Sequence, residues 1–370
     1  MNAKVLNVCH LTPTYFSEDS VVGGGERYVY NLVEAVREAN RTAEIKINQS
    51  VISISDNSGT ITRDGVVIQL LNNISPTPGN MNYIPNQLWK HLEGLDVLHI
   101  HQGLTQFGEY CAVVAASLGI PFVITDLGGG SSNLMLSGKG LELANRVIAI
   151  SKYANSLTST SYSGETSVLI GPVDTEYFSP CEAQNRFKKY GICVSRILPH
   201  KGIDRIISAL PYELELKVVG KVYDQDYFDL LRRLSEGKKV DFVQDAGDEE
   251  LLALYQGADI FLQGSTHKDI YGNIIQKPEL MGLTTLEAMS CGLPVIVSDA
   301  GSLPEMVPND RVGRVFSNHA DLSKIFDEYM SGKWPLEDAR LEARNHVVDN
   351  YSFLTVGKSL SAIYKEVFGL

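Results

Sequence analysis

The 370-residue sequence has no paired cysteines, no metal-ligand spacing, no excess of basic charge and no long apolar run. Each absence removes a class of function. Five cysteines (Cys9, Cys111, Cys181, Cys193 and Cys291) are scattered without a C-x-x-C pair. They argue against a disulfide scaffold and for buried thiols in a reducing compartment. Eight histidines form no H-x-x-x-H or similar spacing, so no metal is expected. A net charge of -12 excludes the basic footprint of a general nucleic-acid binder, while leaving room for a local basic pocket. The longest apolar stretch, residues 111–124, is too short to span a membrane and is broken by Gly119 and Pro121. The first residues read as strand and turn, without a signal-peptide cleavage pattern. A Walker A motif is missing too. Gly138-Lys139 is followed by Gly140, and Asn133 stands where the earlier glycine belongs. The expectation is a cytoplasmic protein of two ordinary domains, with peripheral contact at the cytoplasmic membrane face left open and the oligomeric state unread.

What is present centres on residues 279–305, ELMGLTTLEAMSCGLPVIVSDAGSLPE. Glu279 precedes a glycine turn, and Glu287 lies eight positions on, within a short helix predicted over residues 284–289. Cys291-Gly292 ends that helix, and Pro294 releases the chain into the buried-strand run Val295-Ile296-Val297. A loop–helix–strand unit gathers backbone N–H groups and a helix N-terminus at one sheet edge, where anions bind. Two carboxylates beside it suit a ligand with phosphates at one point and hydroxyls on either side. Thr284-x-x-Glu287 fits a capping box equally well.

Further candidates follow the same logic. Residues 5–11 form a first strand, and Gly23-Gly24-Gly25-Glu26 lies between it and a helix with Val29, Leu32, Val33 and Val36 at helical spacing. That order puts backbone amides near a phosphate; a plain turn is the alternative. Residues 45–71, with turn signals at Asn57-Ser58-Gly59 and Arg63-Asp64-Gly65, read as strands and a hairpin. His101 ends the short strand 96–101, where open α/β sheets place their ligands, though it could equally satisfy local backbone. Asp126, Gly128 and Gly129 follow the strand 121–125 and would let a ligand approach backbone closely. Arg196 and Lys201 flank the turn after the strand 192–197, a planar fork and a mobile point charge that together suit a diphosphate; exposed loop cations are the bland alternative. Helices are predicted at 203–210, 320–330 and 353–368. The polar loop 264–278 reads as a solvated insertion, with His267 and Lys268 as lid or acceptor residues the alternative.

These stretches resemble the family-4 retaining glycosyltransferases, of group 1 type. Glu279, Gly282, Glu287, Ala288, Met289, Gly292, Pro294 and Val295 match the E-G-F-G-x-x-x-x-E-A-M-A-x-G-x-P-V signature, while Leu280 and Met281 replace its Gly-Phe. Ser-Arg196-Ile-Leu-Pro-His-Lys201-Gly resembles the family's G-R-L-x-x-x-K-G stretch, and the D-V-x-H-x-H pattern ending in His101 and the G-G-G-E loop have counterparts too. Leu127 stands where many relatives have histidine.

The resemblance implies an α/β fold of GT-B architecture, two Rossmann-like doubly wound domains facing a cleft. The acceptor-binding domain would be 1–172, joined by the helix 352–370, and the donor-binding domain 173–351. It implies a metal-independent hexosyltransferase, with no cofactor, using a UDP- or GDP-linked sugar and a sugar, lipid-linked or small-molecule hydroxyl acceptor. His101, Arg196, Lys201 and Glu279 would be catalytic. The donor would be held by Gly23, Gly24, Gly25, Arg196, Lys201, Val243, Glu279, Leu280, Met281, Gly282, Leu283, Thr284 and Glu287, with Val243 backbone reading the base and Glu287 the ribose. Asp126, Gly128 and Gly129 would face the acceptor. A sugar-nucleotide epimerase of the same fold and an inactive nucleotide-sugar-binding protein are the alternatives.

Overall fold

The computed structural model describes residues 5–14, 24–76, 82–128, 130, 132–181 and 190–370. The chain divides into two compact units, Met1–Pro172 with Ser352–Leu370, and Val173–Tyr351.

Unit 1 is built on eight strands: β1 (Val5–Leu11), β2 (Lys46–Ile54), β3 (Gly59–Arg63), β4 (Val66–Leu71), β5 (Val97–His101), β6 (Phe122–Thr125), β7 (Arg146–Ala149) and β8 (Thr166–Val168). Their order is β3-β4-β2-β1-β5-β6-β7-β8, parallel except for the β3–β4 pair. The β3–β4 hairpin turns through Asp64 (φ 49) and Gly65 (φ 81), the two left-handed positions that a tight hairpin needs. Every residue of β5 is buried, as expected of a central parallel strand covered on both faces. Helix α1 (Gly24–Asn40) buries Val29, Leu32, Val33 and Val36. It packs on the C-terminal helix (Phe353–Phe368), and Gly357 permits the approach, because a Cβ there would lie 1.9 Å from the Ala35 carbonyl oxygen. Helices α2 (Gln106–Leu118) and α3 (Lys152–Thr158) are capped by Thr105 and Ser151, whose side chains accept from Gly108 N and Ala154 N.

Unit 2 has six strands, β9 (Tyr190–Val194), β10 (Glu215–Val219), β11 (Val240–Val243), β12 (Ile260–Gln263), β13 (Val295–Ser298) and β14 (Gly313–Phe316). They run parallel in the order β11-β10-β9-β12-β13-β14. The helices are α4 (Ile203–Ala209), α5 (Gln225–Leu234), α6 (Asp248–Gly257), α7 (Leu283–Ser290), α8 (His319–Met330) and α9 (Leu336–Tyr351). Helix α9 is one that the sequence pattern hides: its buried positions are Ala339, Arg340, Ala343 and Val347, too small or too polar to make an apolar stripe. Arg340 is kept inside by an ion pair with Asp259 at 2.6 Å. Among the described residues, no helix is long and apolar enough to cross a membrane.

Candidate functional site

In unit 2 the strand order reverses at β9, which has β10 on one side and β12 on the other. The crevice beyond the carboxyl ends of two such strands is the usual ligand site of an open α/β sheet. Two glycines bring the loops after β9 and β12 together there. A Cβ on Gly202 (φ 60) would lie 2.0 Å from the Gly264 carbonyl oxygen, and one on Gly264 would lie 2.4 Å from that of Gly202. This backbone contact sets Lys201 beside Gln263 and Ser265. Glu279 is delivered by a third loop. Ser302 N donates to its carbonyl at 3.1 Å, and Gly301 (φ 59) leaves room for it, since a Cβ there would lie 2.1 Å from that same oxygen.

The side chains then meet. Lys201 Nζ donates to Glu279 Oε2 at 2.8 Å, Gln263 Nε2 to the same oxygen at 2.6 Å, and Ser265 Oγ at 3.5 Å. Burial opposes ionisation of Glu279, but Lys201, then His200 and Arg196, hold its carboxyl below the usual range. Arg196 lies at the mouth, exposed, its guanidinium 5.7 Å from the Tyr223 ring centroid. His200 is driven to the neutral form. Burial, then the charges of Lys201 and Arg196, lower its pKa to about 4.

Helix α7 opens on this crevice. Its cap is Gly282 (φ 80), with no side-chain cap bond, so Thr284-x-x-Glu287 is not a capping box. Thr285 N and Leu286 N bond to Gly282 O, leaving Leu283 and Thr284 N–H as first-turn donors without an intrahelical acceptor. Glu287 is buried, and its Oε2 accepts from Tyr255 Oη at 3.3 Å. Leu280 and Met281 form the turn between the carboxylate and the helix. Val243 ends the edge strand β11, and its carbonyl is taken by Gly220 N at 2.9 Å. That uses one of the two lone pairs of the carbonyl. The loop 264–278 is solvated over most of 267–276, as expected of an insertion, but it is ordered by its own hydrogen bonds. Thr266 N bonds to His200 O, Gly301 N donates to His267 Nε2, and Asp269 Oδ1 accepts from Tyr271 N and Asn273 N. Asp224-Gln225-Asp226 has the D-x-D spacing of a metal pair, but Asp224 caps α5, accepting from Tyr227 N at 2.9 Å.

Unit 1 has its own switch point, between β1 and β5. His101 ends β5 there, beside His99 and, from β1, His10; all three are fully buried. Their nitrogens lie within 4.8 Å of one another, the kind of grouping that could hold a cation. Hydrogen bonds occupy most of those nitrogens instead. His99 pairs with Tyr364 Oη at 2.7 Å and Thr125 Oγ1 at 2.8 Å. Gln49 Nε2 donates to Val33 O, so its Oε1 faces His10, and His10 Nε2 must be the protonated nitrogen at 3.1 Å. His10 Nδ1 is then an acceptor, and His101 Nε2 donates to it at 3.0 Å. His101 Nδ1 is left as an acceptor without a partner among the described residues. Burial lowers all three imidazole pKa values, that of His10 to about 4.

Gly24 and Gly25 are the first turn of α1 rather than a loop before it, and Gly23 and Gly129 lie outside the described residues. Asp126 Oδ2 accepts from Gly128 N at 3.1 Å, which uses it in its own turn. Sequence reasoning missed Gln263, His10 and Gln49. Gln263 and His10 gave the same signal as His101, a polar residue at the carboxyl end of a buried apolar strand.

Residues 181–346 match the family model for glycosyl transferases group 1. A GDP-mannose-dependent phosphatidylinositol monomannoside mannosyltransferase from Mycolicibacterium smegmatis is 27% identical over 242 residues, which is 60% of this chain and 62% of that one. A probable sucrose-phosphate synthase from Thermosipho melanesiensis is 29% identical over 52% of this chain and 46% of its own. The matched stretch thus spans less than two thirds of either relative. The solved sucrose-phosphate synthase of Thermosynechococcus elongatus superposes with a TM-score of 0.74 over 98% of this chain and 99% of that one, at 19% identity. Anabaena HepE, in complex with UDP and glucose, gives 0.71 over 98% and 100%, at 17% identity. Residues 181–346, most of the second unit, are thus similar to the group 1 glycosyltransferases, and the fold of the chain is of the GT-B type.

Proposed function

We propose that the chain is a retaining glycosyltransferase, moving a hexose-type sugar from a UDP- or GDP-linked donor to a hydroxyl acceptor. The observation that carries this reading is the cluster at the unit 2 switch point: an ionised Glu279 clamped by Lys201, Arg196 at the mouth, and the open N-terminus of α7 beside them. A diphosphate placed there meets Arg196, Lys201 and the Leu283 and Thr284 amides, and the sugar next to it meets Glu279. Glu287, deeper in, is suited to a vicinal diol such as ribose. GDP-mannose in one relative's name and UDP in the neighbour's complex are consistent with a nucleotide-diphosphate donor.

The rate gain in this reading is electrostatic. As the bond from the anomeric carbon to the diphosphate oxygen stretches, negative charge grows on the leaving group, where fixed cations and amides already point. A leaving phosphate oxygen that takes the acceptor's proton on the same face would give retention without an enzymic nucleophile. His101 stays the unit 1 candidate for contact with the transferred sugar, which would require its sealed Nδ1 to be uncovered on binding, and Asp126, Gly128 and Gly129 belong to the acceptor side. The cations supply the charge a metal would otherwise bring, so turnover should survive EDTA.

The first test is a panel of UDP-, GDP- and ADP-sugars, scored by thermal shift and by transfer to added saccharides. A donor incubated alone separates transfer from epimerisation, because an epimerase would convert it without acceptor. Lys201→Ala should lower turnover at saturating donor by roughly 100-fold or more. An unchanged rate would remove Lys201 from the reaction.

A further inference from the structure

Gln263 is the last residue of β12 and is 3% exposed. Both ends of its amide are engaged, and only one orientation fits. Nε2 lies 2.6 Å from Glu279 Oε2, and an ionised carboxylate can only accept. Oε1 therefore faces α7, where the hydroxyls of Thr284 (3.3 Å) and Thr285 (3.2 Å) donate to it. One side chain thus joins the carboxylate on one loop to the first turn of the anion-facing helix.

The consequence for Glu279 is an asymmetry. Lys201, Gln263 and Ser265 all converge on Oε2, which is saturated. Oε1 has no partner among the described residues, and it is not among the unpartnered polar atoms sealed from solvent. A buried carboxylate oxygen left unpaired is costly, whereas one open to a ligand is poised to accept. Thr284 is sorted the same way. Its hydroxyl proton is committed to Gln263, so toward a ligand it offers its backbone N–H as donor and its hydroxyl oxygen only as acceptor.

We propose that Gln263 is a positioning residue. It fixes Glu279 as a one-oxygen reader of a single hydroxyl on the transferred sugar, and it holds that oxygen in register with the phosphate end of the site at α7. This rests on the donor-site reading above and adds to it which oxygen reads the sugar and what aims it. Phosphate oxygens are repelled at Oε1 and accepted at the α7 amides, so the two ends of a nucleotide-sugar are told apart.

The test is calorimetric titration of the full chain with UDP, GDP, UDP-glucose and GDP-mannose, for wild type, Gln263→Met and Gln263→Glu. Gln263→Met keeps length and loses every hydrogen bond. It should bind the free nucleotide as wild type does, while losing about tenfold in affinity for the matching nucleotide-sugar, the worth of one charge-assisted hydrogen bond. Gln263→Glu places a second carboxylate against Glu279. Its loss for the nucleotide-sugar should be larger and should shrink at pH 5, as one proton comes to be shared between them. Equal affinities of wild type and Gln263→Met for the nucleotide-sugar would overturn the proposal. So would an equal loss for nucleotide and nucleotide-sugar, which is the mark of a merely structural residue. A wild-type chain that binds nucleotide but gains nothing from the sugar would also overturn it. A wild-type chain that binds neither would bring down the donor-site reading itself.

Discussion

The two switch points hold opposite kinds of polar group. Between β1 and β5 sit three imidazoles with no solvent exposure at all, and every one is pushed toward the neutral form by burial. Between β9 and β12 sit Lys201 and Glu279, with side chains 11% and 14% exposed, both charged and 2.8 Å apart. The physical rule is the same in each place. A fully dry site admits hydrogen-bonding groups only if they are neutral and satisfied, and a nearly dry one admits charge only in pairs. Unit 1 meets it, save at the unpartnered His101 Nδ1, with a chain of donors running from His101 through His10 and Gln49 to the Val33 carbonyl. Unit 2 meets it by spending one oxygen of Glu279 on three donors. The first arrangement fixes tautomers; the second fixes a charge.

Acid should separate them most sharply. Each unit 1 imidazole binds its proton less readily folded than unfolded. Between the ordinary value of 6.5 and the folded value of about 4 for His10, the unfolded chain therefore holds more protons. The stability contributed by neutral His10 is complete above that window and is lost as pH falls through it. For His10 alone the shift corresponds to on the order of 3 kcal/mol. Glu279 behaves differently, because, although burial opposes its ionisation, Lys201 holds its carboxyl below the ordinary value of 4.5, so it stays largely ionised at pH 5. Hydrogen exchange at pH 7 and pH 5, corrected for intrinsic rates, should show β1 and β5 losing more protection than β9 and β12. Equal losses in the two sheets would break the comparison.

How much of this could be read from residues alone follows the same division. The charged site was legible, because a diphosphate-type site needs cations and carboxylates near glycine turns, and Arg196, Lys201, Glu279 and Gly282 advertise themselves. Their meeting was not legible. It depends on the contact between Gly202 and Gly264, residues 62 positions apart in sequence, which no local pattern records. The neutral site was half legible. His101 stood out at a strand end, but His10 arrives from a strand 91 positions away, so no histidine spacing could reveal the cluster. The loop 264–278 is solvated over most of its length, as its polarity suggests, but its order was not legible, because it comes largely from one aspartate, Asp269, folding the chain around its own carboxylate. Helix α9 was missed because its buried face carries alanines and an ion-paired arginine in place of an apolar stripe.

A smaller effect tests whether the unit 1 network is structural support rather than part of a charged site. Tyr364→Phe removes the hydroxyl that pairs with His99 Nδ1 at 2.7 Å and leaves a buried ring nitrogen unsatisfied. The cost should be about 1–2 kcal/mol in urea denaturation, with nucleotide-sugar affinity unchanged. A loss of affinity without a loss of stability would place Tyr364 in the ligand's path and blur the line between the two networks.

The smallest effect sits where the comparison is least clean, at His200, a neutral imidazole inside the charged site. Burial and the fields of Lys201 and Arg196 lower its pKa to about 4. A bound diphosphate offsets those fields, so the His200 pKa must rise toward its ordinary value when donor binds. UDP-glucose is the clean probe, since its diphosphate has no oxygen that titrates between pH 5 and 7. At pH 5.5 its binding should take up a fraction of a proton, read from calorimetric enthalpies in two buffers of different ionisation enthalpy, and affinity should rise slightly as pH falls. The uptake should fade by pH 7.5, where the imidazole stays neutral bound or free. His200→Asn should abolish it while leaving binding intact. If the variant takes up the same fraction, the proton goes elsewhere, and His200 does not feel the ligand's charge.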